Sequence, residues 1–150
     1  MTPENEKELL RLNEEMGEKA PILWSIRTAT ESDLPFKAFL EAFHAKVSSV
    51  QMKTDDALAP PMPGIRIRKN LVWHAVPEGP ELSPFLDALM GVPGSQLSLP
   101  ADVAAELASL EAPADLSLFI GPGCPFCPAV VRQLLALAFH SELVYLKIID

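Results

Sequence analysis

The chain has 150 residues, 49% of them hydrophobic and 21% charged, with a formal net charge of −8. That is enough apolar material for a core without a disulfide framework, and the acidic balance opposes binding to a phosphate backbone. The acidic start, Met1 to Glu8, has no basic segment leading into an apolar one, and no apolar run approaches the roughly 18 residues of a membrane span. Neither nucleic acid nor membrane is an expected partner, and the expected compartment is the reducing cytoplasm.

Thr2 as cap and Pro3 at the first position open a helix over residues 3–17, with Leu9, Leu12 and Met16 on one face and Gly17 as its stop. Its glutamates form a solvated face. A short strand follows at Ile22 to Ile26. Thr30-Glu31-Ser32-Asp33 then reads as a capping box before a helix lined by Phe36, Phe39, Leu40, Phe43 and Val47. A second strand is expected around Val50 and Met52, then a loop punctuated by Pro60, Pro61 and Pro63. Gly64 to Arg68 and Leu71 to Val76 form a hairpin across Lys69-Asn70, with Arg66, Arg68 and Lys69 alternating with apolar residues as an outer strand face does. Leu82, Phe85, Leu86, Leu89 and Met90 mark a helix that Gly91 ends.

Val92 to Ser98 reads as a linker. Beyond it Pro100 opens a helix with Val103, Leu107 and Leu110 on one face, and the pattern restarts: strand Leu116 to Ile120, turn Gly121-Pro122-Gly123, helix Ala129 to His140, strand Val144 to Ile149. Sliding the chain on itself by 94 residues lays Ile22 on Leu116, Trp24 on Leu118, Phe36 on Val130, Leu40 on Leu134, Phe43 on Leu137, Val50 on Val144 and Met52 on Leu146. Apolar meets apolar at strand and helix positions alike, so the expectation is two copies of one α/β unit, over residues 1–91 and 92–150.

The only two cysteines, Cys124 and Cys127, stand in Cys-Pro-Phe-Cys between a strand and a helix. Two intervening residues let the sulfurs meet across one turn, and the unpaired N–H groups and dipole of a helix N-terminus stabilise a thiolate. Pro125 removes an N–H that has no partner there, Phe126 completes the motif, and Pro128 places the helix start within it. Cys124 at the helix end is the expected nucleophile, and the more buried Cys127 the resolving thiol. In the same 94-residue register Thr30 and Asp33 occupy the cysteine positions, so the first copy lacks the thiols.

A zinc site needs two more ligands. His140 follows Cys127 after twelve residues, but Val144, Tyr145 and Leu146 stand where a fourth ligand belongs. Haem attachment needs histidine at 128, which is proline. No metal and no other cofactor is therefore expected. His44 and His74 read as structural, since no nucleophile pairs with them in sequence, and Trp24 and Trp73 read as core.

The segment Leu116 to Val131, with Gly-Pro-Gly-Cys-Pro-Phe-Cys-Pro at its centre, resembles the active-site segment of glutaredoxin-like protein disulfide oxidoreductases, which are tandem thioredoxin-fold proteins. The thiol-free first copy looks more like the N-terminal domain of the alkyl hydroperoxide reductase flavoprotein subunit. What the resemblance implies is two tandem thioredoxin-like units, the first without cysteines and the second truncated at its C-terminus. It also implies a dithiol relay between a flavoprotein or small-thiol electron donor and a disulfide-bearing protein such as a peroxiredoxin. Thioredoxins carry a buried acid six residues before the first cysteine; here that residue is Leu118, so another group or water must handle the proton. Met62-Pro63 looks like a vestigial cis-proline loop in the first unit. Its twin would fall at about residue 157 by the same repeat, which leaves a sheet edge for a dimer or domain partner to cover. The reading from another class is a protein-docking domain with little redox activity of its own.

Overall fold

A computed structural model of the chain describes residues 6–11, 22–25, 34–47, 52–54, 63–91 and 98–150. The capping box Thr30 to Asp33, Val50, Met62 and most of the 92–98 linker lie outside the described residues. Residues 6–11 are helical (α1), with Leu9 buried and its neighbours exposed, which is the one-sided pattern expected of an amphipathic helix. Glu6 reaches Lys46 at 2.7 Å, and that contact holds its carboxyl below the usual value.

The first crossover is β1 (Ile22–Ser25), α2 (Leu34–Lys46) and β2 (Met52–Thr54), with the two strands parallel. Phe36, Phe39, Leu40 and Phe43 recur at helical spacing and are all buried. β3 (Gly64–Arg68) and β4 (Leu71–Trp73) form the expected hairpin across Lys69-Asn70, with a bulge between Arg66 and Arg68. β4 stops at Trp73, three residues short of the expected end. The His74 N–H still bonds the Ile148 carbonyl, but the chain then turns off toward Pro77, which has no N–H to donate.

A 3-10 turn, Gly79–Glu81, leads into α3 (Leu82–Met90), and Gly91 ends that helix with φ 60°, a left-handed conformation that glycine adopts without a side-chain clash. α4 (Ala101–Ala108) follows, laying Leu107 against the core with Leu110 just beyond its end. The second crossover is β5 (Ala114–Phe119), α5 (Cys127–His140) and β6 (Val144–Ile149), again with parallel strands. β5 begins two residues earlier than expected because Ala114 already pairs with Val144. The last residues of β1 and β5, Ser25 and Phe119, are 94 apart in sequence, as are those of α2 and α5, Lys46 and His140.

The described strands form one mixed sheet in the order β2-β1-β3-β4-β6-β5. β4 and β6 pair in parallel through Leu71, Val72 and Trp73 against Leu146, Lys147 and Ile148, joining the two halves of the chain. Trp73 and Phe85 meet edge to face at 5.3 Å, and Phe85 packs edge-on against Phe39 and Phe43. Those aromatic pairs tie α2 and α3 to the centre of the sheet. Trp73 is core, as expected; the side chain of Trp24 is not among those described.

Candidate active site

The turn between β5 and α5 is built from Gly121-Pro122-Gly123. Gly123 sits at φ 76°, where an L side chain would clash with its own backbone, and the Cys124 N–H closes the turn onto the Gly121 carbonyl at 3.1 Å. Cys124 and Cys127 are joined by a disulfide with their Cα atoms 5.5 Å apart. The two-residue spacing therefore brings the sulfurs together.

α5 begins at Cys127, two residues before the expected Ala129, with Phe126 as its cap residue and Pro128 in its first turn. Pro128 removes a donor that has no helical partner at that position, while the Phe126 carbonyl accepts from Ala129 and Val130. Cys124 thus stands three residues ahead of the first helical residue. The first turn of α5 carries no acidic side chain of its own to offset the positive end of the helix dipole. Both cysteines are half-buried, and Cys127 packs against the core cluster. Exposed apolar side chains flank the motif along the chain: Phe126 within it is 76% exposed, Val130, one turn along α5, is 38% exposed, and Phe119 at the end of β5 is 72% exposed.

Pro63 is half-buried just before β3, and its carbonyl lies 2.9 Å from His74 Nδ1. It is at the same end of the sheet as the cysteines, but β4 and β6 separate β3 from β5. His74 is held in that contact, His44 is exposed on α2, and His140 Nδ1 meets the Ala136 carbonyl one turn back. Among the described residues, no group of three or more His, Cys, Asp or Glu is placed to hold a metal ion.

Glu81 is the site residue that the sequence did not reveal. It ends the 3-10 turn before α3, is 8% exposed, and its Oε2 has no hydrogen-bond partner among the described residues. Burial pushes its carboxyl above the usual value, with Arg132 pulling the other way. Arg132, on α5, is itself anchored to α3, donating through Nε to Asp87 and through Nη2 to Ser83, each at 2.7 Å. A cavity of about 400 Å³ joins Glu81 to the cysteine turn; Gly121, Pro122 and Gly123 line it together with Pro35 from the start of α2. In sequence, Glu78-Gly79-Pro80-Glu81 reads as an exposed loop. Only tertiary packing makes Glu81 a buried acid beside the motif.

No protein-family model matches the chain, and no curated protein matches it in sequence. Solved structures do. The NTD domain of the alkylhydroperoxide reductase AhpF from Enterococcus faecalis aligns with 100% of this chain and 80% of its own, at 19% identity and a TM-score of 0.76. A protein disulfide oxidoreductase from Aeropyrum pernix aligns over 99% of this chain and 74% of its own, at 14% identity and a TM-score of 0.73. Sso1120 from Sulfolobus solfataricus aligns over 97% and 79%, at 21% identity and a TM-score of 0.64. At these identities what is shared is the fold, a thioredoxin-like mixed α/β architecture.

Proposed function

We propose that this chain is a thiol-disulfide oxidoreductase module of the cytoplasm, with Cys124 as nucleophile and Cys127 as resolving thiol. The observation that carries the reading is the Cys124–Cys127 disulfide at the start of α5, on a fold shared with a protein disulfide oxidoreductase. In the reduced chain the Cys124 thiolate attacks a sulfur of the partner's disulfide, forming a mixed disulfide and releasing one partner thiolate. Cys127 then loses its proton, and its thiolate attacks the Cys124 sulfur, closing the Cys124–Cys127 disulfide and releasing the second partner thiol. Two electrons and two protons pass from the dithiol to the partner, and a flavoprotein or small-thiol donor restores them.

With leucine at 118, Glu81 is the group we assign to the Cys127 proton. It is a buried carboxyl with a free oxygen, and it lines the cavity that the cysteine turn also lines. Exposed Phe126 within the motif, with Phe119 and Val130 on either side of it along the chain, offers the partner protein, such as a peroxiredoxin, apolar contacts. The tandem organisation, residues 1–91 and 92–150, belongs to the same proposal. It is supported by the two parallel β-α-β crossovers, whose first strands and helices end 94 residues apart. Pro63 then marks the vestigial groove of the unit without thiols.

Reduction of insulin in dithiothreitol tests the reading. The chain is expected to bring on insulin precipitation well ahead of dithiothreitol alone, and Cys124→Ser to abolish that gain. Cys127→Ser should accumulate a mixed disulfide with insulin, which is visible by mass. The exposed apolar residues also favour a docking reading. Retention of a bound partner by the Cys124→Ser, Cys127→Ser double variant, with no insulin reduction by the native chain, would select it instead.

A further inference from the structure

The cavity beside the cysteine turn has a chemical character that disulfide exchange alone does not require. Its buried wall holds Glu81, whose Oε2 is unpartnered among the described residues, and its exposed rim holds Glu78 and Asp150. None of the described residues that line it is a lysine or arginine. Arg132, the cation that acts on Glu81, is already held by Asp87 and Ser83. At about 400 Å³, against the roughly 15 Å³ that one enclosed water needs, the space is large enough for a long side chain. Three carboxylates around a space with no basic group among its described lining residues, one of them buried and short of a partner, complement a cation. The neighbouring turn, Gly121 to Gly123, leads directly into Cys124, so whatever fills the cavity lies alongside a partner engaged at the sulfur.

We propose that this cavity receives a lysine or arginine side chain that flanks the disulfide of the partner protein, with Glu81 at its base and Glu78 and Asp150 at its rim. The inference rests on the oxidoreductase reading and adds a rule for substrate choice. It also couples binding to chemistry. A cation beside Glu81 favours the ionised carboxylate, which is the form able to take the proton from Cys127. A neutral flanking residue leaves that carboxyl in its buried, uncompensated state.

The test uses the reduced full chain in single turnover at low salt, with two cyclic disulfide peptides that differ only in lysine or glutamine beside one cysteine, and with hydroxyethyl disulfide as a small neutral probe. The lysine peptide should react about fivefold faster, the size of a partly exposed ion pair. The preference should fall in the Glu78→Gln, Asp150→Asn double variant, which leaves only Glu81 to hold the cation and whose reaction with hydroxyethyl disulfide should stay unchanged. Equal rates for the two peptides with the native chain would overturn the inference, as would a lysine preference that is undiminished in the double variant. Failure to reduce any of the three disulfides would remove the oxidoreductase reading itself, and the substrate rule with it.

Discussion

Cys124 and Cys127 are chemically the same residue in different surroundings. Cys127 opens α5 and packs on the core, whereas Cys124 lies ahead of the helix on a turn that Gly123 allows. On that asymmetry rests the proposal that Cys124 attacks and Cys127 resolves. Glu81 adds a titrating group with its own signature. Because burial raises its folded carboxyl above the ordinary value of 4.5, the folded chain keeps a proton that the unfolded chain has already lost. Stability therefore falls as pH rises from about 4.5 through the raised folded value. Glu81→Gln should flatten that fall and melt higher than the native chain at neutral pH. Thermal melts of both proteins from pH 4 to pH 8 measure it, and parallel curves would show that Glu81 carries no such penalty. The cysteines were legible in the sequence because residue type and spacing alone define a dithiol. Glu81 was not, since it is buried where its turn meets α5, which is distant in sequence.

The helices that face a core were readable from spacing in part: α2 buries Phe36, Phe39, Leu40 and Phe43, and α3 buries Leu82, Phe85 and Leu86 with Leu89 and Met90 half-buried, but α5 buries Val131, Leu135, Ala136 and Ala138 and leaves Val130, which the repeat lays on Phe36, exposed. Their ends were less so. α5 begins within the motif at Cys127, as Pro128 in its first turn indicates, whereas the spacing of apolar residues alone does not report that start. What joins the elements was not legible at all. Asn70, in the β3–β4 hairpin turn, is 4% exposed, and its side-chain amide donates to the carbonyls of Ala138, Ser141 and Val144, while its own carbonyl accepts from Leu146. One turn residue thereby holds the end of α5 and the start of β6. Nearby, Arg68 lies over the Phe139 ring at 4.5 Å, so part of the basic strand face serves as packing. Asn70→Ala leaves buried carbonyls without a donor and should cost about 1–3 kcal/mol, measured by urea denaturation. A loss near zero would mean that water replaces the amide.

Across the whole molecule, one sheet carries both crossovers, and the parallel β4–β6 pairing is the seam between the halves. The 94-residue repeat predicted two β-α-β crossovers, but periodicity within each half says nothing about which strands meet between halves. The seam depends on Leu71, Val72 and Trp73 lying in register with β6 and on Asn70 below them, contacts across more than 70 residues of chain. With the seam formed, the β5–α5 turn stands beside α3 and the Gly79–Glu81 turn, and a dithiol gains a buried acid from the other half of the sequence. Among the described residues no helix is long and apolar enough to cross a membrane. The helix end and the absence of first-turn acids should lower the pKa of Cys124 selectively. Iodoacetamide labelling of the reduced chain across pH, read by mass at each cysteine, measures this directly. Cys124 should react first, with a midpoint well below the free-thiol value of about 8.5 and Cys127 lagging behind it. Two cysteines labelled together near 8.5 would contradict an activated dithiol at this site.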